Sequence, residues 1–85
     1  MDLKIKQITE MIEHLVVDTT IPKNIRKVLT EANERLKGSE EANVKASAAV
    51  YLIESISDDI NMPAHARTQI WAIMSALEGM KTHYQ

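Results

Sequence analysis

The sequence predicts an all-α fold: an antiparallel up-and-down four-helix bundle made of two similar helical hairpins. Three observations carry this. Apolar residues recur at three- and four-residue steps in four separate stretches. The stretches between them are short and hold turn-forming residues. The phrase Asp, three residues, Pro, three residues, Arg occurs twice, at Asp18, Pro22 and Arg26 and again at Asp59, Pro63 and Arg67. In both copies Pro opens the next helix with its φ already set.

The first helix is expected over residues 2–16, with Ile5, Ile8, Ile12 and Leu15 as its apolar stripe, Met1 and Val16 beside it, and His14 on the solvated side. The second is expected over residues 22–37, with Ile25, Val28, Leu29, Ala32 and Leu36 facing inward and Gly38 as a left-handed cap. Its opening turns hold Lys23, Arg26 and Lys27, where the helix dipole favours acidic groups. A broken local rule of this kind is a place to look for function.

The third helix is expected over residues 40–57, capped by Ser39, with Glu40 and Glu41 at the end the dipole favours. It carries two apolar stripes: Ala42, Ala46, Ala49, Ile53 and Ile56 on one side, with Leu52 next to them, and Val44, Ala48 and Tyr51 on roughly the other. A helix apolar on both sides is either buried centrally or covered by a partner. The fourth is expected over residues 63–80, capped by Asn61 or Met62, with Ala66, Ile70, Ile73, Leu77 and Met80 inward and Met74 at the edge. Gly79 falls near its expected end, Arg67, Trp71 and Glu78 share one shoulder, and residues 81–85 are expected to fray.

The two halves repeat. A shift of 41 positions pairs Lys4 with Lys45, Ile12 with Ile53, Glu13 with Glu54, Leu36 with Leu77 and Gly38 with Gly79, besides the Asp, Pro and Arg already named. Ordinary composition would give about two identities over such a span. Forty-odd residues per helical hairpin is also the period of HEAT-type repeats, so a HEAT-like repeat pair is the alternative architecture. Two hairpins fall short of the three or so units a solenoid needs, and a single closed core suits them better.

Composition bounds the function. A chain of 85 residues, 45% hydrophobic and 26% charged, holds one core and one domain, residues 1–85. It has no Cys, which removes disulfides, thiolate metal sites and cysteine nucleophiles and fits a cytoplasmic setting. No signal peptide is expected at Met1 to Lys4, and the longest apolar run, Ala48 to Ile53, is far shorter than the roughly 20 residues a membrane span needs. A net charge of −2 gives no global attraction for nucleic acid or anionic lipid.

The phrase from Ser57 through Asp58, Asp59, Ile60, Asn61, Met62, Pro63, Ala64, His65, Ala66 and Arg67 to Thr68, followed by Ile70-Trp71 and Ser75-Ala76-Leu77-Glu78, resembles the signature of a family of short archaeal proteins of unknown function. Pro22-Lys23-Asn24-Ile25-Arg26 resembles that family's earlier signature. The resemblance spans essentially the whole chain. It implies a compact four-helix fold in an archaeal cytoplasm and supplies no activity, ligand or catalytic residue.

Four groups of residues are candidate sites. Asp18 with Arg26 and Asp59 with Arg67 read either as charged sites or as corner devices in which each Arg folds back onto its Asp; repetition favours the corner. Lys23, Arg26 and Lys27 read as an anion or nucleic-acid contact or as a solvated face. His65 beside Asp58, Asp59 and Asn61 offers metal-type ligands, but the spacing matches neither an EF-hand loop nor a zinc pattern, and His65 aligns in the repeat with Asn24, a polar residue serving a helix start. Trp71, with Arg67 four residues before it, reads as a surface anchor stacked by a cation or as the edge of a core that has no Phe. Tyr51 with Val44 and Ala48 reads as an intramolecular or a partner contact.

No Gly-rich phosphate loop, nucleophile–histidine arrangement or paired acids in a cleft is evident, so an enzyme and a cofactor are not expected. The expected function is a non-enzymatic protein-binding module, self-association as a homodimer or higher oligomer included. Its surface would be Val44, Ala48, Tyr51 and Trp71. The alternative is an accessory RNA- or DNA-binding protein using Lys23, Arg26 and Lys27. Neither membrane nor metal is expected as a partner.

Overall fold

The computed structural model describes residues 3–82, with side chains to residue 80. Four helices follow in order: α1 (Leu3–Val16), α2 (Lys23–Leu36), α3 (Ala42–Glu54) and α4 (Ala64–Thr82). Among the described residues there is no strand. Met1, a helix start at Asp2, and the fraying expected of residues 83–85 lie outside the described residues, whereas Lys81 and Thr82 continue α4.

Each helix packs against its neighbours in the chain, and α1 returns against α4, so the four close a ring around one core. That order is compatible with an antiparallel up-and-down bundle. A HEAT-like stack would leave the first and fourth helices apart. The repeat governs the core: Ile5, Ile8, Thr9, Ile12, Leu15, Ile21, Ile25, Leu29, Ala32 and Leu36 are buried, and so is the residue 41 places after each, from Ala46 through Leu77.

The halves differ in volume, and this decides the seams. At the end away from the 17–22 and 55–63 corners, α2 and α3 contribute Ala32, Ala46 and Ala49, while α1 and α4 contribute Ile5, Ile8 and Ile73. Close packing lets the alanine-bearing helices approach and holds the isoleucine-bearing ones apart. Accordingly α2 with α3 is the most extensive helix contact and α1 with α4 the slightest.

Several sequence-level boundaries move. Pro22 is the residue before α2 rather than its first, and its carbonyl accepts from Ile25 N and Arg26 N, both at 3.1 Å. Pro63 does the same for Ala66 N (3.1 Å) and Arg67 N (3.0 Å). Ser39 does not cap α3; Glu41 stands there, extended and without a side-chain cap. The corner before it is instead stitched by Arg35 to Glu40 (3.3 Å) and by Lys45 Nζ to Gly38 O (3.0 Å).

α3 ends at Glu54, three residues early, because the serines that follow compete for its last carbonyls. Ser55 Oγ donates to Leu52 O and Ser57 Oγ to Glu54 O, and the backbone tightens into bonds from Ser55, Ile56 and Ser57 to the residue three before each. Neither glycine is a left-handed cap, since no described residue has positive φ. α2 closes through Lys37 N to Asn33 O and Gly38 N to Arg35 O, and Gly79 lies inside α4.

Candidate functional site

The two corners are built alike. Asp18 Oδ1 accepts from Thr20 N (2.9 Å) and Thr20 Oγ1 (2.6 Å), and Asp59 Oδ1 accepts from Asn61 N (2.8 Å), so each Asp folds its own turn through a side-chain-to-backbone bond two residues on. Each Arg returns to its own corner, but not to the carboxylate the sequence suggested. Arg26 Nε donates to Ile21 O (2.9 Å), and Arg67 Nη2 to Asp59 O (3.2 Å) and Met62 O (3.4 Å). The reason is supply: Ile21 O and Met62 O stand just before the helices, whose first amides go to Pro22 O and Pro63 O instead, while the Asp18 carboxylate already holds the Thr20 amide and hydroxyl and the Asp59 carboxylate the Asn61 amide.

The remaining carboxylate oxygens cross between the hairpins. Asp18 Oδ2 meets His65 Nε2 at 2.8 Å, and Asp59 Oδ2 accepts from Asn24 Nδ2 at 3.4 Å. Asn24 and His65 are repeat equivalents, so the exchange is reciprocal: each corner's Asp reaches the first turn of the other hairpin's second helix. A carboxylate only accepts, so His65 Nε2 carries the proton in this contact. The Thr20 hydroxyl and then His65 hold the Asp18 carboxyl down to about 2. The alignment of Asn24 with His65 was the sequence signal for this contact; which Asp each would meet was not in the sequence.

Among the described residues no three of His, Asp and Glu are grouped so as to hold a metal ion. Next to the corners the slack α1–α4 seam leaves a groove of about 380 Å³ lined by Met11, His14, Leu15, Asp18 and Gln69. Of the basic group, Lys23 and Lys27 are exposed, whereas Arg26 is half-buried and gives its Nε–H to Ile21 O.

The apolar residues of the second hairpin stay outside. Tyr51 is 76% exposed, Trp71 62% and Val44 43%, with Ala48 half-buried. Trp71 is therefore not the edge of the core, and the Arg67 guanidinium four residues before it is hydrogen-bonded to the corner carbonyls. Leu3, Val17 and Ile60 are also exposed, and periodicity gave no hint of Ile60, which sits in a turn.

Fold and surface together define a small all-α protein, two like helical hairpins locked corner to corner, with an apolar outer face on one of them. The chain belongs to the uncharacterised protein family UPF0147, which it matches over residues 1–80. It is similar to a UPF0147 protein of Methanocaldococcus jannaschii, 44% identical over 78 residues that cover 91% of this chain and 84% of the relative. A UPF0147 protein of Pyrococcus furiosus is 44% identical over 80 residues, covering 92% and 86%. One of Sulfurisphaera tokodaii is 42% identical over 81 residues, covering 94% and 91%. The fold is similar to the crystal structure of a protein of unknown function, MMP1188, with a TM-score of 0.84 at 45% identity, over 88% of this chain and 86% of that one. No helix is long and apolar enough to cross a membrane, among the described residues.

Proposed function

We propose that this chain is a non-enzymatic protein of the cytoplasm that works by binding another protein through the outer face of its second hairpin. The observation that carries the reading is the exposure of Tyr51 and Trp71 beside Val44 and Ala48. The first hairpin has Glu10, Thr30 and Gln7 where the second has Tyr51, Trp71 and Ala48, so the two like units differ in what they present to solvent. Exposed aromatic residues are the side chains that most often anchor protein interfaces. RNA or DNA contact through Lys23, Arg26 and Lys27 has less support, because Arg26 already serves its own corner.

The test is capture of partners from extract of the source cells by tagged protein, with and without nuclease, comparing the wild type with Tyr51→Glu and Ala48→Arg. Partners that survive nuclease and are lost from both variants, while their melting curves stay those of folded protein, are the expected result. Retention of every partner by both variants overturns the reading. Light scattering on the same samples reports whether the bound protein is a second copy.

A further inference from the structure

The first hairpin closes its outer seam with opposite charges: Glu13 Oε2 accepts from Lys37 Nζ at 2.6 Å and from Asn33 Nδ2 at 3.1 Å. The repeat puts Glu54, Glu78 and Met74 at those three positions in the second hairpin. An ion pair is thus replaced by two acids and a thioether. The seam can be placed independently. His65 of α4 meets Asp18 in the corner just past α1, and Gln69 lines the α1–α4 groove with Met11, His14 and Leu15, so the opposite shoulder of α4, bearing Met74, Glu78 and the neighbouring Trp71, lies toward α3. Tyr51 precedes Glu54 by three residues and shares its side of α3.

Resting on the protein-binding reading above, we propose that this aromatic and acidic seam takes a lysine- or arginine-bearing segment of the partner protein. One of the partner's cationic side chains stacks on Trp71 or Tyr51 and pairs with Glu54. Three observations agree. The Glu54 carboxylate has no partner among the described residues. Between Ser39 and Met80 the cations are Lys45 and Arg67, against the acids Glu40, Glu41, Glu54, Asp58, Asp59 and Glu78. Both cations are hydrogen-bonded within the fold, Lys45 to Gly38 O and Arg67 to the corner carbonyls Asp59 O and Met62 O, and neither is paired with a carboxylate among the described residues. A second copy facing this seam would bring like charges together, and nucleic acid would meet carboxylates. A cation over an indole beside a carboxylate gains from both the ring and the charge.

Trp71 is the only tryptophan, so its emission reports occupancy directly. The probes are three labelled helical peptides of one length, identical but for Arg, Gln or Glu at the charged positions, titrated at low and at moderate salt. The Arg peptide is expected to shift Trp71 emission and bind at least tenfold more tightly than the Gln peptide, with affinity falling as salt rises. Glu54→Gln should weaken it several-fold and Glu54→Lys tenfold or more, both variants melting as folded protein. Equal binding of the three peptides, or none by the Arg peptide at millimolar concentration, overturns the proposal. So does a captured partner that is lost from Tyr51→Glu yet kept by Glu54→Lys, an outcome that leaves the protein-binding reading standing. A dimer dispersed by Tyr51→Glu without Arg-peptide binding overturns the cationic partner in favour of a second copy.

Discussion

Replacing Arg26 or Arg67 by Ala tests whether the corners are held by their guanidinium groups. Arg26 gives one bond at 2.9 Å from Nε, and Arg67 shares one nitrogen between two carbonyls at 3.2 and 3.4 Å. A hydrogen bond from a charged donor contributes about 1.5–3 kcal/mol, and half-buried surroundings argue for the low end. Each Ala variant should therefore lose about 1.5 kcal/mol, with Arg26→Ala the larger loss because its bond is the shorter. For a domain of this size that is a Tm lower by about 6–12 °C. Arg26→Lys should recover less than half, since an ammonium cannot occupy the Nε position. Urea unfolding followed by helical circular dichroism measures the effect as a shift of midpoint at unchanged slope. Losses under about 0.5 kcal/mol in both Ala variants, the range of an ordinary surface change, would refute the reasoning, because water would then serve those carbonyls equally well.

Two further outcomes follow from the geometry. Asp18 is held at about 2 by Thr20 and His65, against 3.8 for an unperturbed aspartate. The unfolded chain therefore binds this proton first on acidification, and the stability Asp18 contributes is present above about pH 4 and lost as pH falls toward 2. The difference in urea midpoint between wild type and Asp18→Asn should shrink across that window, and a difference constant with pH would contradict the contact. Gly79 lies inside α4 with open space where a Cβ would stand, so Gly79→Ala should stabilise by about 0.5–1 kcal/mol. At Gly38 the added Cβ would meet Arg35 O at 3.3 Å, and Gly38→Ala should gain nothing. Thermal melts of the two variants separate these cases.

Much of the fold was legible because the signals are local. The stripes at Ile5 to Leu15 and Ile25 to Leu36 named the buried faces of α1 and α2, and their repeats named those of α3 and α4. Pro22 and Pro63 marked where helices begin to within a residue. The ends were less legible. Gly79 marked the expected end near Met80, and α4 runs on to Thr82, since a single glycine costs a helix only about 1 kcal/mol. Ser39 looked like a cap, but the side chains crossing the 37–41 corner set where α3 starts. For the candidate surface, Val44, Ala48, Tyr51 and Trp71 could be named from their spacing, whereas their exposure could not, because an apolar stripe reads the same whether a neighbouring helix or a partner covers it.

The sequence by itself determined the four helices, the duplicated hairpin, the residues that face inward and the places where the chain reverses, all of which follow from helical periodicity and turn chemistry within a few residues. Only the tertiary structure decided that Asp18 meets His65 and Asp59 meets Asn24, contacts spanning 47 and 35 residues. It also decided that the arginines serve carbonyls, that the α2–α3 seam is tight while α1–α4 is slack, and that Tyr51 and Trp71 remain in solvent. Those outcomes depend on how side-chain volumes from all four helices fill one interior, a condition that no single stretch of chain contains.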